Sequence, residues 1–218
     1  VKIFFMRKIT IFILFQVIFC GGNVVFSQNF DINALEKINN IGTHGFSRVV
    51  SNTAGYIDVS VPVVLAGVAL IDGNDALLKK SIYIGVSLGV NQLAVVAVKN
   101  IVRRPRPRVS YPDRIVWYED MTSLSFPSGH TAAAFNTATA LTFSFPKWYV
   151  AVPSYLWAAS VGYSRMNLGV HYPSDVFCGA LLGSASAFLT YKINNWFWKT
   201  QNNKPLLGNK GKKDLVWY

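Results

Sequence analysis

The chain reads as an all-α protein, a multi-helix bundle carried in a membrane on about five to six transmembrane helices. Three observations predict this. Of its 218 residues 51% are hydrophobic and only 14% charged, and the mean hydropathy of +0.30 is too high for an ordinary soluble domain, yet mild for a chain lying wholly in lipid. Apolar segments recur at residues 59–71, 81–98, 131–145, 148–163 and 176–198, several of them near the lower limit of about 17 residues for a span. Ala, Gly, Ser and Thr are mixed freely into these segments, as suits helix packing in lipid. No alternating strand pattern and no internal repeat competes with that reading.

In chain order, residues 1–27 come first. Lys2, Arg7 and Lys8 precede an apolar run from Ile9 to Cys20, which predicts a secretory signal peptide or an uncleaved first transmembrane helix. Residues 28–56 are mixed and polar, with Asn39, Asn40 and Gly42 interrupting any long pattern. The apolar segments then follow as helices joined by short turns, so that residues 28–198 form one helical domain. Residues 199–218 form a basic tail carrying Lys199, Lys204, Lys210, Lys212 and Lys213.

Charge placement orients the bundle. With the N-terminus inside, Lys79, Lys80, Lys147 and the basic tail all fall on the cytoplasmic side, in line with the positive-inside rule. The run Arg103-Arg104-Pro105-Arg106-Pro107-Arg108 then falls outside, where an anion site offers a competing reason for its charge. The net charge of +11 suits a membrane surface or an anionic substrate. Nucleic acid is excluded as a partner, because the basic residues are split among apolar segments and make no continuous stripe. Cys20 and Cys178 lie in apolar runs and read as packing residues rather than a disulfide. His44 reads as a plain surface histidine.

Three polar clusters interrupt the apolar pattern, and all three fall on the outer side. Lys99 ends an apolar helix, and Arg106-Pro107 follows on a proline-stiffened strap that cannot continue that helix. The two cations can converge on one dianion, arginine as a planar fork and lysine as a point charge. Pro127-Ser128-Gly129-His130 opens the helix over 131–145, with Pro127 as its first residue. Free backbone amides at Ser128 and Gly129 suit an anion, and His130 is placed to protonate a leaving oxygen. Finally Ser164-Arg165 precedes His171, and Asp175 follows His171 by four residues. Pro173 opens the last helix and puts Asp175 in its first turn, from where its carboxylate can orient the imidazole as a nucleophile. Taken singly, these are also a juxtamembrane basic stop, a helix cap beside a surface histidine, and an aspartate cap. Their joint occurrence in order removes those readings.

Together the clusters resemble the signature of the type 2 phosphatidic acid phosphatase superfamily, which also holds bacterial class A acid phosphatases and vanadium haloperoxidases. Lys99, Arg106 and Pro107 match its Lys-x6-Arg-Pro element, residues 127–130 its Pro-Ser-Gly-His element, and Ser164, Arg165, His171 and Asp175 its Ser-Arg-x5-His-x3-Asp element. The resemblance implies a phosphatase acting through a phosphohistidine on His171, with Asp175 orienting it and His130 as general acid and then base. Lys99, Arg106, Ser128, Gly129 and Arg165 would bind phosphate. It implies no metal, no cofactor and no obligate protein partner. The partners are a phosphorylated lipid substrate and membrane lipids, at the outer face of a bacterial-type inner membrane. A secreted soluble acid phosphatase is the alternative, and haloperoxidase chemistry gains little support from so short a chain. Arg103, Arg104 and Arg108 are candidates for a second phosphate or an anionic lipid.

Overall fold

In the computed structural model, residues 28–201 and 204–207 are described; the expected signal or anchor over 1–27, Cys20, and residues 208–218 of the tail lie outside them. The described residues form helices α1 (Gln28–Asn39), α2 (His44–Asp72), α3 (Asp75–Val102), α4 (Pro107–Ser110), α5 (Gly129–Ser144), α6 (Trp148–Asn167) and α7 (Pro173–Thr200), and no strand. The all-α expectation holds. The five long helices run alternately up and down, which gathers the chain segments 103–128 and 168–172 at one end. At the other end Lys80 lies 4.6 Å from the Phe145 ring centre and Lys79 4.7 Å from that of Trp198.

Helices α2, α3 and α7 are long and apolar enough to cross a membrane. Only 17% of the residues in the most apolar stretch of α2 are buried, and Val59, Val63, Val64, Leu70 and Ile71 stand exposed along the helix. An outward apolar face of this kind is what a bilayer covers and water does not. Helix α5 is the opposite case. Its 16 residues reach about 24 Å at 1.5 Å per residue, and most of its side chains are buried. It is the central post against which α3, α6 and α7 pack.

Small residues set how closely that post is approached. On α7, Asp175, Gly179 and Gly183 recur every four residues on one buried face. A Cβ at Gly179 would stand 2.6 Å from the Ser128 carbonyl, and one at Gly183 would stand 2.0 Å from that of Ala132. Glycine is therefore required at both, and the backbones of α5 and α7 touch. Asn136 reinforces the contact by donating to the Gly183 carbonyl at 3.1 Å.

The segment over 28–56 departs from expectation in part: the polar stretch forms α1 and the first half of α2. The buried face of α2 here is Ser47, Ser51, Ala54 and Asp58, helical in spacing but polar, so an apolar periodicity does not reveal it. Ser47 donates to Asn167 at 2.7 Å and Thr137 donates to Asp58 at 2.6 Å. Helix α1 ends at Asn39 and α2 begins at His44, so the expected interruption at Asn39, Asn40 and Gly42 holds; the Asn39 amide also clamps the fold, pairing with both the N–H (3.0 Å) and the carbonyl (2.8 Å) of Val116. His44 is not a plain surface histidine. Its ring stacks on Tyr118 at 3.8 Å, and its Nε2 lies 2.7 Å from the Asn39 carbonyl.

Candidate active site

All three clusters meet at the end of the bundle that carries segments 103–128 and 168–172. Lys99 arrives on the last turn of α3, which stops at Arg103 in the left-handed conformation, φ 50°. Residues Arg104 to Arg106 then run extended, and Pro107 begins the single turn of α4 with Arg106 as its N-cap. The strap does not continue α3, as its prolines predict. Arg106 is buried and held from three sides: Nε donates to the Ser123 carbonyl at 2.6 Å, Nη2 to the Ser123 hydroxyl at 2.8 Å, and Nη1 to the Val170 carbonyl at 2.8 Å. Lys99 donates to the carbonyl of Leu124.

The second cluster differs in detail from its expectation. Helix α5 begins at Gly129, with Ser128 as N-cap and Pro127 before it, following a cis Phe126–Pro127 bond. Pro127 is thus not the first helical residue. The Ser128 N–H is taken by the Asp175 carbonyl at 3.0 Å, and its hydroxyl pairs with Thr131 at 2.8 Å. The amides that follow, starting at Gly129, are those a helix leaves without intrahelical partners. A Cβ at Gly129 would meet only Val95, at an ordinary 3.6 Å, so packing within the chain does not demand glycine there. His130 is half-buried, and burial first, then Arg165, Arg106 and Lys99, pushes its imidazole down to about 4 against the opposing pull of Glu119.

Arg165, on α6, has a fully buried side chain. Its Nη1 donates to Ser51 and, at 2.7 Å, to Glu119. Its Nε and Nη2 have no partner. A guanidinium edge left open in a buried place costs several kcal/mol unless something anionic meets it. Gly169, at φ 73°, turns the chain from α6 toward His171, and a Cβ there would stand 2.6 Å from the Val116 carbonyl. His171 is buried, with Nε2 3.4 Å from Arg106 Nη1 and Nδ1 3.5 Å from Asp175 Oδ2. That second separation brings the carboxylate into register with the ring without a formed hydrogen bond, and Nδ1 has no other partner. Burial, with Arg106 and Arg165 nearby, pushes the imidazole down to about 3 against the opposing pull of Asp175. His171 is therefore a neutral base at ordinary pH. Asp175 itself accepts from Arg104 at 2.8 Å, the Tyr172 N–H at 3.0 Å and the Ser125 hydroxyl.

Every residue expected at the site is at this end of the bundle. The expectation for Arg104 and Arg108 is corrected. Arg104 is consumed by Asp175, Ser174 and Asp31, and Arg108 is paired with Asp120 and the Met121 carbonyl, so neither is a spare cation for a second phosphate. Ser51, Glu119, Ser123 and Ser125 also belong to the site, and none was singled out in the sequence. Only their setting in a polar stretch among apolar helices hinted at them.

Residues 80–199, more than half of the chain, match the PAP2 superfamily. The chain belongs to the PAP2 superfamily. Among its relatives is an undecaprenyl-diphosphatase of Sulfolobus acidocaldarius, 28% identical over 80% of this chain and 82% of that one. A decaprenylphosphoryl-5-phosphoribose phosphatase of Mycolicibacterium smegmatis is 31% identical over 63% of this chain and 69% of that protein. The crystal structure of Aquifex aeolicus LpxE superposes with a TM-score of 0.63 at 26% identity, covering 75% of this chain and 95% of that one. A phosphatidylglycerolphosphate phosphatase from Bacillus subtilis shares the fold, with a TM-score of 0.66 at 23% identity over 87% of this chain and 96% of that one. This PAP2 chain is accordingly an enzyme, a phosphatase with membrane-type helices.

Proposed function

We propose that the chain hydrolyses a phosphate or pyrophosphate monoester on a membrane lipid through a phosphohistidine on His171. The observation that carries this is the pairing of a buried, neutral His171 with two guanidinium groups. Arg106 Nη1 stands 3.4 Å from Nε2, and Arg165 keeps a buried Nε–Nη2 edge without a partner. With the proton on Nδ1 toward Asp175, the Nε2 lone pair attacks phosphorus, a P–N bond forms, and the P–O bond to the leaving group breaks. His130, neutral in the free site, takes up a proton as the phosphate anion binds beside it and gives that proton to the departing oxygen. It then takes a proton from water, whose oxygen attacks phosphorus, breaks the P–N bond and frees inorganic phosphate with His171 restored. Lys99, Arg106, Arg165 and the amides from Gly129 onward hold the three equatorial oxygens as charge develops, the preorganised stabilisation that dominates such sites.

The lipid reading rests on the exposed apolar faces of α2, α3 and α7, which a secreted soluble acid phosphatase would have to cover. Undecaprenyl pyrophosphate, phosphatidylglycerol phosphate, phosphatidic acid and lipid A phosphates all present the group this site fits. The lysines at the opposite end support a site on the outer face of a bacterial-type inner membrane, with 199–218 cytoplasmic. Phosphate release by detergent-purified protein, in chelator and across a panel of these lipids and p-nitrophenyl phosphate, tests the reading. One lipid should be strongly preferred and His171→Ala inactive. Turnover confined to small soluble esters would instead support the acid phosphatase, and a fully active His171→Ala would refute the mechanism.

A further inference from the structure

We propose that Arg104 is a positioning residue for Asp175, and that Asp31 completes it, so that helix α1 is part of the catalytic apparatus. This rests on the reading of His171 and Asp175 just given.

Arg104 Nη1 bonds Asp175 Oδ1 at 2.8 Å and Ser174 Oγ at 2.7 Å, while Nη2 bonds Asp31 Oδ2 at 2.9 Å. The guanidinium lies 3.8 Å over the Tyr172 ring, which fixes its plane. Asp31, on α1, is 2% exposed and also accepts from the Ser174 N–H at 3.1 Å and from the Ser174 hydroxyl. Its place is held by Ile32 and Leu35, which bury against Ile115 and Tyr172. The Asp175 carboxylate is thereby pinned at both oxygens. Oδ1 belongs to Arg104, and Oδ2, between the Tyr172 N–H and the Ser125 hydroxyl, is the oxygen that faces His171.

Charge makes the same point. One cation serves two buried carboxylates, so the trio presents a net negative charge to the ring that becomes cationic as His171 takes phosphorus. Remove Arg104 and two carboxylates face each other across Ser174 with no cation between them, a setting that favours protonating one. Remove Asp31 and Arg104 acts undivided on Asp175. The other titratable groups facing Asp175 are Lys99, Arg106, His171 and Tyr172, and they are unchanged in both variants.

The full chain in detergent tests this by kcat–pH profiles of Arg104→Gln, Asp31→Asn and the double variant. Arg104→Gln should lose about tenfold or more in kcat with KM little changed, and its acid limb should move about one unit upward. Asp31→Asn should move that limb downward. The double variant should regain about tenfold over Arg104→Gln, because the orphaned carboxylate is gone. Wild-type kinetics in Arg104→Gln, or a pH-independent loss that Asp31→Asn does not relieve, overturns the proposal. Asp31→Asn alone still decides should Arg104→Gln fail to fold: a limb that stays put or moves upward overturns it. His171→Ala separates the two claims, since its retained turnover refutes the reading of the site, whereas its inactivity beside a wild-type-like Arg104→Gln refutes only the role of Arg104.

Discussion

At the scale of single residues, the site is defined by who is already paired and who is not. Arg106 keeps only an edge toward His171, and Arg165 keeps Nε and Nη2. Arg165→Ala should therefore reduce kcat by about 10²–10³-fold, the usual cost of removing one preorganised donor to a developing anion, as measured by phosphate release at saturating substrate. The depressed imidazole of His171 also has a consequence for stability. Its pKa falls from 6.5 to about 3 on folding, so the unfolded chain binds the proton first and stability is lost as pH falls through that window. The melting temperature of the wild type in detergent should thus drop toward that of His171→Gln between about pH 6.5 and about pH 3. A difference constant with pH would contradict a buried neutral imidazole. Much of this scale was legible beforehand: Lys99, Arg106, His130, Arg165, His171 and Asp175 announce themselves by type and order. Glu119, Ser123 and Ser125 do not, because a glutamate or serine in a polar loop carries no periodicity and no motif.

At the scale of elements, the decisive contact is the touching of α5 and α7. It brings Ser128 to the Asp175 carbonyl and holds His130 and His171 at one end of the bundle. Gly183→Ala forces a Cβ onto the Ala132 carbonyl, at 2.0 Å before relaxation, and should destabilise the fold by about 1–3 kcal/mol. The damage should reach activity as well, read as a lower melting temperature together with a lower kcat. Gly129→Ala is the instructive contrast, since its Cβ meets only Val95 at 3.6 Å. It should melt like the wild type yet lose turnover, because the methyl group obstructs the close approach of phosphate to the amides of α5. Equal kinetics in Gly129→Ala would remove that turn from the phosphate site. Helix α1 and the first half of α2 lay beyond sequence reading for a reason seen in Ser47, Ser51 and Asp58: a buried face made of polar residues satisfied by partners at least 68 positions away has no local apolar signal.

At the scale of the molecule, two ends of opposite character predict a topology. The site end carries segments 103–128 and 168–172, and the other end carries Lys79, Lys80, Lys147 and Lys199. In a background lacking Cys20 and Cys178, Thr122→Cys should react with a membrane-impermeant maleimide in intact cells, while Asp72→Cys should react only after lysis. The reverse pattern would place the site in the cytoplasm.

The sequence by itself determined the family and the helical class, and it set what is expected of the site's chemistry and of its orientation in the bilayer, because these depend on residue type, order and the period of apolar residues. Tertiary structure alone decided that Arg104 serves Asp175, that Glu119 and Ser51 hold Arg165, and that Asn39 and His44 tie the N-terminal helices to the site. Each of those pairings joins residues far apart in the chain. Distance in space, and the need of every buried charge for a partner, is not written in local pattern.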